Sequence, residues 1–150
     1  MEIERKFLIS ELPADLPQYR FRRIEQAYLC SDPVVRVRRE DDHYYMTYKG
    51  KGKMVREEHN LKLNREAYEH LKAKADGYLI SKTRYLIPDG KFTIELDLFD
   101  PPFPLTMAEV EFTSEEEASV YTPPAWFGRE VTMESGFHNN TMSRTGRVPV

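Results

Sequence analysis

The sequence predicts a mainly β protein of the α+β class, with about eight antiparallel strands in sequential hairpins and a few flanking helices, in one domain spanning residues 1–150. Three observations carry this. Apolar and polar residues alternate with period two through most of the chain, as a pleated strand with one buried face requires. Turn-forming residues interrupt the alternation at short intervals. A chain of 150 residues, 40% hydrophobic, can build one core and has little left for a second.

The opening segment sets Glu2, Glu4 and Lys6 on one face and Ile3, Phe7 and Ile9 on the other. Residues 24–30 form the next strand, carrying Gln26 and Tyr28. Val35 and Val37 then alternate with Arg36 and Arg38, and Asp41-Asp42-His43 turns the chain into Tyr44–Lys49. Gly50-Lys51-Gly52 is a second turn, glycine tolerating the positive φ of tight loops. Arg56, Glu58, Asn60 and Lys62 share a face opposite Leu61 and Leu63. There the period changes. Asn64 caps a helix from about Arg65 to Ala75, with Tyr68, Leu71 and Ala75 at core spacing. Alternation resumes at Ile80, sets Lys82 and Arg84 on one face, and stops at the Pro88-Asp89-Gly90 turn. Phe92, Ile94, Leu96 and Leu98 then face one way and Glu95 and Asp97 the other. After the proline-rich loop 100–104, Glu109 and Glu111 alternate with Ala108, Val110 and Phe112. Ser114 to Glu117 is a capping box for a short helix ended by Pro123-Pro124, and residues 132–144 form the last helix.

Charge narrows the function. Lys+Arg number 22 and Asp+Glu 25, a net charge of −3, which excludes a nucleic-acid binder working by bulk charge. No apolar run approaches the ~18 residues of a membrane span, and the alternating charges of Glu2-Ile3-Glu4-Arg5-Lys6 are unlike a secretory signal. Cys30 has no partner for an internal disulfide, so a cytoplasmic location is expected. The distribution is uneven. Val34 to Arg65 holds nine Lys/Arg against five Asp/Glu, whereas Glu95 to Glu117 holds eight acids and no base. An anion with bound cations would use both halves.

The charged strand faces collect the acids Glu2, Glu4, Glu58, Glu95, Asp97, Glu109 and Glu111 and the bases Lys6, Arg36, Arg38, Lys49, Arg56, Lys82 and Arg84. Two dispositions fit. An open sheet would turn these faces to water, with cross-strand ion pairs worth little. A closed eight-stranded barrel would turn them into a lumen, and unpaired buried ions cost several kcal/mol each, so that lumen must be wet and hold a ligand. Alternation alone leaves both open. Within it, Glu2-x-Glu4 and Glu109-x-Glu111 point paired carboxylates to one side, as a hard divalent cation requires. Arg36/Arg38 and Lys82/Arg84 have the same spacing and suit phosphate oxygens.

Taken in order, Glu2-Ile3-Glu4-Arg5-Lys6, Gln26-Ala27-Tyr28-Leu29, Arg36-Val37-Arg38, Lys49, Arg56-x-Glu58, Lys82-Thr83-Arg84-Tyr85, Glu95-Leu96-Asp97, Glu109-Val110-Glu111-Phe112 and Pro124-Ala125-Trp126-Phe127-Gly128 resemble the CYTH superfamily of triphosphate tunnel metalloenzymes, the short bacterial inorganic triphosphatases above all. The resemblance implies an eight-stranded antiparallel tunnel and metal-dependent hydrolysis of a triphosphate, with Mg²⁺ or Mn²⁺ as cofactor. It implies that Glu2, Glu4 and Glu111 hold metal, helped by Glu58, Asp97 and Glu109. Lys6, Arg36, Arg38, Lys49, Arg56, Lys82 and Arg84 would bind phosphates, and Tyr28 with Lys49 would activate water. It leaves as alternatives a nucleoside- or thiamine-triphosphatase, an adenylate cyclase, or a polyphosphate-binding module without turnover. A homodimer is compatible with all of them. Two departures stand out. Asn60 takes the place of a second acid, which implies a weaker second metal site, and Phe137-His138-Asn139-Asn140 lacks a basic residue.

The remaining candidates read as structural. His43, His59, His70 and His138 have no metal-ligand spacing. Cys30 is expected as a small wall residue, Lys49 to Lys53 as a solvated hairpin, and Trp126 as a plug at the barrel end or against the last helix.

Overall fold

The structure, a computed structural model, describes residues 1–149. Its sheet has nine strands: β1 (Glu2–Leu8), β2 (Arg20–Ser31), β3 (Val34–Glu40), β4 (His43–Lys49), β5 (Val55–Arg56), β6 (Glu58–Leu63), β7 (Asp76–Asp89), β8 (Phe92–Phe99) and β9 (Thr106–Glu111). They pair antiparallel in the order β5-β1-β9-β8-β7-β2-β3-β4-β6. The two outermost strands, β5 and β6, are separated only by Glu57. They are one bent segment that pairs with β1 on one side and β4 on the other, so the sheet comes round on itself. The single strand expected over 56–63 is therefore broken in two, which turns eight strands into nine.

Closure decides which face is inside. Leu96, Ala108 and Val110 point outward into a core covered by α2 (Glu115–Val120) and the segment 121–127. Ala27 and Val37 point outward under α1 (Arg65–Lys72), whose Tyr68 is fully buried. The apolar faces are thus capped by helices, and the charged faces line the interior. The open, water-facing sheet is ruled out for this chain.

The helix ends follow their caps. Asn64 accepts from the Ala67 amide at 2.7 Å, and the helix stops at Lys72 rather than Ala75 because β7 already begins at Asp76. Ser114 accepts from the Glu117 amide at 3.1 Å, while the Glu117 carboxylate accepts from Thr113 N, one residue before the cap, at 2.9 Å. The expected helix over 132–144 is shorter: only α3 (Asn139–Thr145) is α-helical, after a 3-10 turn at Ser135–Phe137. The reason is tertiary. Gly128 and Val131 donate to Leu8 and Lys6 carbonyls, Leu8 N donates to Arg129 O, and the Thr132 hydroxyl accepts from Lys6 N at 2.9 Å. Those bonds hold 128–132 extended along β1. Strands β2 and β7 are longer than expected at both ends or at the start, beginning at Arg20 and Asp76.

One end of the barrel is closed. Tyr28, Val34, Ile80, Phe103 and Met142 form an apolar layer across it, joined by Met107, Val131 and Phe137, and α3 packs there against β2 and β7. Trp126 takes no part in this closure. It packs on the outer core edge-on to Phe127, with ring centroids 4.8 Å apart. Cys30 is also corrected: it is exposed at the β2–β3 hairpin, not in the wall.

Candidate functional site: a charged lumen

Inside the barrel lies a cavity of about 290 Å³ lined almost wholly by polar side chains, at the small end of ligand sites. Each wall follows from strand parity. Strands β1, β8 and β9 bring Glu2, Glu4, Lys6, Glu95, Glu109 and Glu111; β3, β4, β6 and β7 bring Arg36, Arg38, Lys49, Glu58 and Arg84. Eleven of the fourteen expected charges line the cavity. The other three, Arg56, Lys82 and Asp97, are buried in the wall behind it.

Three carboxylates meet on the acidic side. Glu2, Glu4 and Glu111 each offer an oxygen, and these oxygens lie within 4.8 Å of one another. Burial, with Glu109 next, pushes the Glu4 carboxyl up to about 7. Burial, then Glu95 and Glu4, raises Glu111 to about 7. A carboxylate cluster that resists ionisation by itself is one that a hard cation relieves. The donor set fits a divalent metal: three oxygens, no soft ligand, and Glu111 exposed. Glu58 and Glu109 behave oppositely. Burial raises both, but the Glu2 carboxyl, Lys49 and the Asn60 amide bring Glu58 down to about 2, and Lys6 and Arg84 hold Glu109 well below the usual range.

The basic side is held by specific partners. Lys49 Nζ lies 3.0 Å from Glu2 and 3.4 Å from Glu58. Arg38 donates to Gln26 at 2.8 Å and to Glu40 at 3.0 Å. Arg84 makes a bidentate contact with Asp97 at 2.8 and 2.9 Å, and the Lys82 ammonium lies 2.7 Å from the same carboxylate. Burial brings Lys82 down to about 8 despite that partner. Arg56 donates to the Gly50 carbonyl. Arg36 differs: its Nε is buried with no acceptor among the described residues. An orphaned guanidinium donor is costly, and a phosphoryl oxygen would satisfy it.

The expected water-activating pair is not joined. The Tyr28 hydroxyl accepts from Gln26 Nε2 at 3.0 Å with its ring in the apolar layer, while Lys49 is engaged by Glu2 and Glu58. Four lining residues escaped the sequence reading: Glu40, Tyr45, Thr47 and Asn139. Parity with Arg38 and Lys49 would have found Glu40, Tyr45 and Thr47. Asn139 reaches the cavity from α3 and lies 3.5 Å from Lys82 Nζ, a contact no local pattern encodes.

The CYTH domain profile matches residues 1–138. The chain belongs to the CYTH domain family. An inorganic triphosphatase of Nitrosomonas europaea is 36% identical to this CYTH protein over 148 residues, covering 95% of this chain and 96% of the relative. One from Acetivibrio thermocellus is 32% identical over 146 residues, covering 94% and 92%. A crystal structure of an inorganic triphosphatase superposes with a TM-score of 0.68 at 32% identity, covering 95% of this chain and 94% of that one. The matched region of this CYTH protein includes every strand and stops at the start of α3.

Proposed function

We propose that the protein hydrolyses a linear triphosphate, inorganic tripolyphosphate foremost, to pyrophosphate and phosphate with Mg²⁺ or Mn²⁺. The observation that carries the reading is the lumen itself: a carboxylate triad lining the same cavity as an arginine whose buried Nε has no acceptor among the described residues. Relatives named inorganic triphosphatase, above 30% identical across nearly the whole chain, support it. The scarcity of aromatic surface favours an inorganic substrate. Among the described residues Tyr45 is the only aromatic lining the cavity, leaving little for a nucleobase to stack on.

In this reading Glu2, Glu4 and Glu111 hold the metal, with Glu58 and Glu109 beside them. When bound, the ion supplies charge neutralisation on the phosphoryl oxygens. Arg36, Arg38, Lys6 and Arg84 fix the phosphate chain, Lys49 bridges the acidic and basic walls, and Arg56 steadies the Gly50 turn beneath it. Asp97 is the counter-ion that keeps Lys82 and Arg84 charged and in place. Tyr28 and Lys49 remain the residues proposed to order the attacking water, the hydroxyl needing to exchange Gln26 for that water. The free Cys30 suits a reducing cytoplasm; among the described residues no helix is long and apolar enough to cross a membrane.

Phosphate release from tripolyphosphate, ATP and thiamine triphosphate, each with and without Mg²⁺ or Mn²⁺, tests the proposal. Metal-dependent release from tripolyphosphate far above the other two is expected. No release from any of them would leave a binding module.

A further inference from the structure

Among the described residues, the Arg36 side chain is anchored at one point only. Its Nη2 donates to Thr47 Oγ1 at 3.2 Å, while its buried Nε has no acceptor. Thr47 is 1% exposed, and its hydroxyl donates onward to Asn60 Oδ1 at 2.6 Å. The Asn60 amide nitrogen donates to Glu58 at 3.1 Å, and Glu58 is paired with Lys49. Every group in this chain has one arrangement available. A hydroxyl that gives its only proton to Asn60 must accept from Arg36. An amide whose nitrogen is drawn to the Glu58 carboxylate must present its oxygen to Thr47. Registry makes this possible, since Arg36 faces Thr47 across β3–β4 and Thr47 faces Asn60 across β4–β6.

We infer that Thr47 and Asn60 are positioning residues that aim the free Nε edge of Arg36 at the anion in the lumen. Neither touches the reacting phosphorus. Thr47 fixes the plane of the guanidinium, and Asn60 fixes the rotor of Thr47. Without the pair the guanidinium turns about its last torsion and must be ordered at the expense of binding. The inference also accounts for Asn60 as an amide: a carboxylate there would meet Glu58 as a like charge and could not donate to it. It rests on the proposal that the lumen binds a triphosphate.

The test reads binding rather than turnover: calorimetric titration of tripolyphosphate in excess EDTA, alongside phosphate release by the wild type with Mg²⁺. Thr47→Val keeps the shape and loses both hydrogen bonds; Kd should weaken about tenfold, the value of one charge-assisted hydrogen bond. Thr47→Ser restores the hydroxyl and should bind within about twofold of the wild type. Asn60→Ala should fall between the two. Equal Kd for wild type and Thr47→Val overturns the inference, as does equal weakening by valine and serine, which would mark a packing role alone. Asn60→Ala binding like the wild type removes Asn60 from it. A wild type that binds tripolyphosphate but releases no phosphate would overturn the hydrolytic reading and leave this one standing; a wild type that does not bind in EDTA yet releases phosphate with Mg²⁺ would overturn this one and leave the hydrolytic reading standing.

Discussion

Glu4 bears most directly on the metal reading, because its carboxyl is held near 7 by burial and by Glu109. The unfolded chain ionises this group near its ordinary 4.5, so above pH 7 the folded state carries a cost of order 3 kcal/mol that fades as pH falls toward 4.5. Glu4→Gln should therefore raise the melting temperature of the metal-free protein at pH 8, by about 5 °C or more, and leave it unchanged below pH 4.5. The same variant should lose activity by at least about a hundredfold, having lost one ligand of three. Calorimetric melts at two pH values and a rate assay check both; near-normal turnover would return Glu4 to the wall. Arg38→Ala should lower kcat/KM by about ten- to a hundredfold, mostly through KM if the contact is equal in ground and transition states. An unchanged kcat/KM would confine Arg38 to holding Gln26 and Glu40.

Strands were legible in this sequence to the extent that period two is a local property. Glu2, Glu4 and Lys6, or Glu95 and Asp97, share a face whatever the rest of the chain does, and so eleven expected charges converge on one cavity. What period two could not supply was the side that faces in, which depends on the bent β5–β6 segment closing the sheet. The last helix does not reach back to Thr132 because the Lys6 and Leu8 backbones, more than a hundred residues away, claim 128–132 as an added extended segment. Asn139 was missed for the same reason. The short helix that does form matters for packing. Met142 on α3 is fully buried in the apolar layer, so Met142→Ala should cost about 2–4 kcal/mol, measurable by urea unfolding. If its loss left stability untouched, α3 would be a loosely docked appendage.

At the scale of the whole molecule, opposing titrations shape the stability profile. Burial, then Lys6, lowers the His138 ring to about 4. A histidine with a depressed folded pKa contributes stability that is complete above 6.5 and lost as pH falls toward 4, at most about 3 kcal/mol. Glu4 and Glu111 pull the other way between 7 and 4.5. Two carboxyls outweigh one imidazole, so wild-type stability should rise as pH falls from 7 to 5, less steeply than the carboxyls alone would make it, and the difference between wild type and His138→Gln should shrink as pH falls from 6.5 to 4. A constant difference over that window would mean that His138 is charged in the fold. The apolar layer beneath α3 has a kinetic meaning as well. A corridor with a wall at its far end is a stack: whatever goes in first comes out last. The fragment lying deeper, toward Asn139 and Lys82, cannot leave until the fragment nearer the rim has gone. Departure is therefore ordered, and the last fragment out should inhibit competitively against substrate while the first out inhibits noncompetitively.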